Sequence, residues 1–148
     1  MKALSLMQPW ASALFIRLRD GNRLKGIETR SWKLPERTKY PLRIAIQASS
    51  SFPKWARAFA ETERTLGRIP SRLPFGAIIG FVTIMGMRMT EDLAPQITAI
   101  ERLYGDYSPG RWGWMLSDAE SLPDDKIIPC KGALGLWDWK PSQDLEFK

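Results

Sequence analysis

The sequence predicts an α+β domain, a compact β-barrel of several short strands with helices packed on it. Three observations lead there. Segments of alternating or continuous apolar, β-prone character recur along the chain, only two stretches carry helical spacing of any strength, and clusters of Gly, Pro, Asp and Ser separate them. At 148 residues, 44% hydrophobic and 26% charged, the chain reads as one domain that can bury a full core without metal or disulfide.

Taken in order, Lys2-Ala3-Leu4-Ser5-Leu6 alternates as a short strand. Gln8-Pro9-Trp10 opens a helix, with Pro9 in a first turn that does not need its missing N–H. Trp10, Ala13, Leu14 and Arg17-Leu18 continue at helical spacing until Asp20-Gly21-Asn22 ends it. Residues 27–32 form the second strand and 42–48 the third, with Leu42, Ile44, Ile46 and Ala48 on one face. Ser49-Ser50-Ser51-Phe52-Pro53 starts a second helix through Trp55, Ala58, Phe59 and Thr62, which stops by Gly67.

After a proline-bearing loop at 69–74, residues 76–89 read as a long buried strand that bends or bulges at Gly80 and Gly86. A polar segment from Thr90 to about Tyr104 has weak helical character, and 105–110 is a turn-rich loop. Residues 111–116, 127–130 and 133–139 supply the last strands, with Leu134, Leu136 and Trp137 helping to close a core.

Composition removes several kinds of chemistry. The chain has no histidine and a single cysteine, Cys130, so an internal disulfide, a Ser-His-Asp triad and a histidine-based zinc site are excluded. No clustered Asp/Glu pattern suggests a carboxylate metal site, and no metal or cofactor is expected. No apolar run approaches the ~20 residues of a membrane span, and the N-terminal apolar stretch is too short for a signal peptide, so a cytoplasmic location away from membranes is expected. Charge is uneven: residues 1–75 carry a net +10 and residues 76–148 a net −4, within an overall +6. The basic half, interleaved with Trp32 and Tyr40, suits either a solvated surface or steering of a phosphate-bearing ligand.

The segment Lys25-Gly26-Ile27-Glu28-Thr29-Arg30-Ser31-Trp32 carries the candidate site. On a strand, Glu28, Arg30 and Trp32 share a face, which offers an acceptor, a fork of donors and a flat ring with the Lys25 ammonium at its mouth. That set suits a planar, anionic ligand such as a nucleotide; an ion pair on a solvated strand face is the alternative. Tyr107, Ser108 and Arg111 add a ring, a hydroxyl and a phosphate fork from the loop at 105–111, unless that loop is merely a connection. Trp10, Trp32 and Trp112 are either base-stacking rings or core, and Gln8 and Gln47 either read a base edge or bond backbone. If the protein is an enzyme, Lys25 is the base or nucleophile and Glu28 the proton shuttle. A lysine does this only after losing its proton, which Arg30 nearby would favour and Glu28 oppose.

The Lys2-to-Leu6 strand, Gln8-Pro9-Trp10-Ala11, Lys25-x-x-Glu28-x-Arg30-Ser31-Trp32, Gly105-Asp106-Tyr107-Ser108-Pro109-Gly110-Arg111 and Lys131-Gly132-x-x-Gly135-Leu136-Trp137, in that order, resemble the ASCH domain of the PUA-like superfamily. The resemblance spans nearly the whole chain. It implies a small mixed β-barrel of five to six strands with two or three flanking helices, a cleft between barrel and helices, and a role in handling RNA or modified nucleosides. The family signature has the form Gly-x-Lys-x-x-Glu-x-Arg; here Arg23 stands at the glycine position. One branch of the family is implied to hydrolyse the N4-acetyl group of acetylcytidine with the lysine, a threonine three residues later and a distant glutamate, and this chain has Glu28 in the threonine position. Other members are implied to cleave or to bind RNA. Binding of RNA or a nucleotide is thus the leading expectation, and hydrolysis of an acylated cytidine or of the RNA backbone the alternative.

Overall fold

The computed structural model describes residues 1–141. Seven strands form one mixed sheet: β1 Lys2–Leu6, β2 Ile27–Arg30, β3 Leu42–Ala48, β4 Ala77–Met89, β5 Trp112–Ser121, β6 Ile128–Pro129 and β7 Leu136–Asp138. Their order is β2-β5-β4-β3-β1-β7, with β6 beside β4, and β1 runs parallel to β3 while the other pairs are antiparallel. The sheet curls into a half-barrel whose ends, β2 and β7, are not paired to each other among the described residues.

Alternation explains the sheet's two faces. Leu4 and Leu6 of β1 and Ile44, Ile46 and Ala48 of β3 point into the main core with Val82, Ile84 and Trp114. Ala3 and Ala45 face the other way, onto Ile78, Ile128 and Trp139. The 13-residue β4 follows the curl because its register slips three times, against β3 at Ile46/Gln47 and against β5 at Phe81/Thr83 and Ile84/Gly86. Gly80 is needed for contact, since a Cβ there would strike the Glu120 carbonyl and the Phe15 ring.

Four helices lie beside the sheet: α1 Trp10–Ala13, α2 Lys54–Thr65, α3 Thr90–Leu93 and α4 Ala99–Leu103. In α2, Ala56, Ala60 and Glu63 are buried at helical spacing. The helix stops where Gly67, at φ +77, lets Gly67 and Arg68 donate back to the Arg64 and Glu63 carbonyls, closing a Schellman turn.

Four expectations are corrected. The first helix is one turn long, because Asp20-Gly21-Asn22 is a hairpin turn and not a helix end. Leu18 donates to the Asn22 carbonyl, Leu24 to Ile16, and the Asp20 carboxylate accepts the Asn22 N–H. The second strand stops at Arg30, where its partner β5 begins at Trp112, so Ser31 and Trp32 bend away. Among the described residues there are seven strands, matching the segments read along the sequence and exceeding the five to six the resemblance implies, and four helices, because the polar 90–104 segment breaks into two at Pro95. Leu134 closes no core: it is 98% exposed, in the loop before β7.

Candidate functional site

The candidate site begins at a strand start fixed by Glu101. Its carboxylate accepts the Gly26 N–H with both oxygens, at 3.1 and 2.9 Å, and the Ile27 N–H at 2.9 Å. Burial pushes the Glu101 carboxyl above its ordinary range, opposed by those N–H groups and by the Lys25 and Arg23 cations. Glu101 was not singled out from the sequence. The signal is Thr98-x-x-Glu101, the form of a capping box: Thr98 does cap α4, accepting the Glu101 N–H at 3.1 Å, but the glutamate reaches across to β2 instead of back to its own helix.

A graded chain of charge runs outward from there. Lys25 is 1% exposed, and its Nζ donates to the Ile27 carbonyl at 2.7 Å and the Tyr104 carbonyl at 2.9 Å while lying 3.2 Å from Glu28 Oε1. Three acceptors match the three donors of an ammonium. The other Glu28 oxygen lies 3.0 Å from Arg30 Nε, off the N–H direction, as an ion-pair contact and not an aligned hydrogen bond. Arg30 Nη2 then bonds the Ser5 carbonyl at 3.3 Å, which ties the unpaired edge of β2 to β1.

This chain opens onto a cleft of about 530 Å³ between sheet and helices. Glu28 and Arg30 line it, with Trp10, Trp32, Trp55 and Arg111 around them. Trp32 stands edge-on to the buried Trp114, 5.0 Å between centroids at 83°. Trp10 is stacked on Phe59 at 5.2 Å and 3°, with Trp55 tilted against it at 5.6 Å. Trp55 is 60% exposed, so much of its ring is free. Sequence reasoning passed over it, although its place beside the Ala56, Ala60 and Glu63 stripe turns it outward on α2.

At the far wall, the Asp106 N–H donates to Thr29 Oγ1 at 2.9 Å, and its carboxylate accepts Ser108 Oγ–H at 2.6 Å and Ser108 N–H at 3.0 Å. Those two bonds, the hydroxyl foremost, hold the Asp106 carboxyl below its usual range, with help from Arg111 at 3.6 Å. Arg111 Nη2 donates to the Thr29 carbonyl at 3.3 Å.

The structure therefore brings Lys25, Glu28, Arg30, Trp10, Trp32 and Arg111 into one neighbourhood, with Lys25 behind the cleft and not at its mouth. Other candidates lie elsewhere. Gln8 is fully buried and spends its amide on Ser12 and the Pro74 carbonyl, fixing α1. Ser108 closes a turn on Asp106 outside the cleft wall. Tyr107 is buried beside Gly105; its hydroxyl has no partner among the described residues, and burial, with Glu101 and Glu28 nearby, keeps it firmly protonated. Trp112 packs on the core, under the Lys33 ammonium at 5.1 Å. Among the described residues no group of His, Cys, Asp or Glu is placed to hold a metal ion, and no helix is long and apolar enough to cross a membrane.

The crystal structure of ASCH from Zymomonas mobilis superposes on this chain with a TM-score of 0.50, covering 86% of this chain and 72% of that one at 16% identity. This chain has the fold of an ASCH domain. A point variant of the same Zymomonas mobilis ASCH is similar over 86% of this chain and 74% of that one, at 16% identity and TM-score 0.49. No protein-family model and no curated protein matches the sequence. Within the ASCH fold, the segment from Lys25 to Arg30 occupies one edge of the half-barrel, facing the helical layer.

Proposed function

We propose that the protein binds single-stranded RNA or a nucleotide in this cleft, a base stacking on the Trp10–Trp55 pair and Trp32 while Arg30 and Arg111 meet phosphate or the base edge. One observation carries the reading: an open cleft joins the largely exposed Trp55 ring, beside the half-buried rings of Trp10 and Trp32, to two guanidinium groups. The net +10 of the first half of the chain adds long-range attraction for a polyanion. Binding is favoured over hydrolysis because Lys25 Nζ is enclosed by three acceptors at 1% exposure, so its part is to hold Glu28, and through it Arg30, in place.

The test is titration of a short single-stranded RNA, followed by tryptophan fluorescence, between about 50 and 200 mM salt. Saturable quenching is expected, with log affinity falling by about 0.7 per phosphate contact for each decade of salt. Absence of binding, or affinity indifferent to salt, contradicts it. Release of acetate from N4-acetylcytidine, or cleavage of RNA, by the wild type and not by Lys25→Ala would establish the hydrolytic alternative.

A further inference from the structure

The motif Lys131-Gly132-x-x-Gly135 has no part in the aromatic cleft, yet it roofs a second one. This cleft, about 1010 Å³, lies on the other side of Ser5, Met7 and Arg30, which line both. Its walls differ in kind. Among the described residues neither a carboxylate nor an aromatic ring lines it; the polar groups are Ser5, Ser49, Ser50 and Gln47, with Arg30 and Lys131 as cations. Lys131 is exposed and forms no ion pair among the described residues. Hydroxyls and cations without a ring or an acid suit the sugar and phosphate of a nucleic acid, not its base.

Gln47 sharpens this. It is 2% exposed, donates its amide N–H to the Cys130 carbonyl at 3.0 Å, and leaves Oε1 buried with no partner among the described residues. A buried amide oxygen without a donor is costly, and a ligand O–H would satisfy it. Oε1 sits beneath Gly132, where an added Cβ would meet it and Ser5 Oγ and displace them, so glycine there keeps both polar atoms in place. Ser5 Oγ accepts from Trp137 Nε1 at 3.1 Å and keeps its own proton for a ligand. A ribose hydroxyl both donates and accepts, as this pair requires, whereas a phosphate oxygen only accepts.

Resting on the reading of the aromatic cleft, we infer that the second cleft takes the ribose and phosphate next to the base held in the first, with Arg30 between them. The ligand is then a ribonucleotide chain and not a free nucleoside.

Calorimetric titration of adenosine, the ribodinucleotide ApA and its deoxy counterpart into wild type, Lys131→Ala and Gln47→Leu tests this. ApA is expected to bind wild type roughly tenfold or more tighter than adenosine and several-fold tighter than the deoxy form. Lys131→Ala should lose most of the ApA advantage and leave adenosine unchanged, and Gln47→Leu should erase the ribose preference. If Gln47→Leu does not fold, the ribose-against-deoxyribose comparison on wild type decides that arm. ApA binding no tighter than adenosine, or Lys131→Ala leaving ApA affinity unchanged, overturns the inference while the aromatic cleft stands. Failure of both adenosine and ApA to bind removes both.

Discussion

The Lys25–Glu28–Arg30 chain and the Glu63–Tyr104–Arg68 cluster are made of similar groups and share Tyr104, yet they end differently. In the helical layer, Glu63 is 1% exposed and receives two bonds from Arg68, at 2.8 and 2.9 Å, and one from the Tyr104 hydroxyl at 2.5 Å. That cluster closes on itself and ties α2 to the end of α4. The other starts just as closed, where Lys25 meets the Tyr104 carbonyl, but finishes at a guanidinium on a cleft wall. A network whose donors and acceptors all find partners inside serves the fold, and one that reaches an open wall leaves capacity for a ligand.

The largest expected effect separates the inner ends of the two. Lys25→Met strands two carbonyls and a buried carboxylate, and should cost about 3–5 kcal/mol in urea unfolding. A loss under about 1 kcal/mol would mean that Glu28 and Arg30 hold their places without it. Tyr104→Phe should cost less, about 1.5–3 kcal/mol, because it removes one hydrogen bond to a charged group and Arg68 still satisfies Glu63.

Acid should distinguish the regions by sign. The Arg68 hydrogen bonds, against the opposing effect of burial, hold the Glu63 carboxyl below its unfolded value of 4.5, so its contribution is full above pH 4.5 and lost as pH falls through the folded value. Burial raises Glu101, so the folded state binds the extra proton first, and its contribution improves as pH falls from the raised value toward 4.5. Unfolding free energy measured from pH 7 to 3 should therefore show Glu63→Gln with a shallower acid decline than wild type. Glu101→Gln should lack the wild type's relative gain on the way down to 4.5. The same slope change in both variants would show that these carboxylates do not differ as their surroundings indicate.

How much of this was legible varies with the range of the contacts. Alternation at 2–6 and 42–48 and the long apolar, β-branched run at 76–89 marked three central strands, since burial on one sheet face leaves a period of two in the sequence and burial on both leaves an unbroken apolar run. Lys25, Glu28 and Arg30 could be grouped because their pairing is local. What the sequence hid was set by partners far along the chain. The depth of Lys25 depends on the carbonyl of Tyr104, 79 residues away, and the Glu101 contact to Gly26 spans 75. The polar loop around Tyr107 suggests a ligand-facing ring, but the ring is drawn in beside Gly105, where even a Cβ would collide with it. Asp20-Gly21-Asn22 was readable as a stop, and the hairpin it makes shows only once Leu24 is seen bonding back to Ile16.

Trp55 tests the central claim most directly, since its ring is 60% exposed at the open end of the cleft and belongs to neither polar network. Trp55→Ala should change unfolding free energy by no more than about 0.5 kcal/mol. In a titration with short single-stranded RNA it should weaken binding by about 1–3 kcal/mol, the value of one stacked base. Affinity equal to wild type, with the fold intact, would contradict the account of this cleft as the place where a base is held.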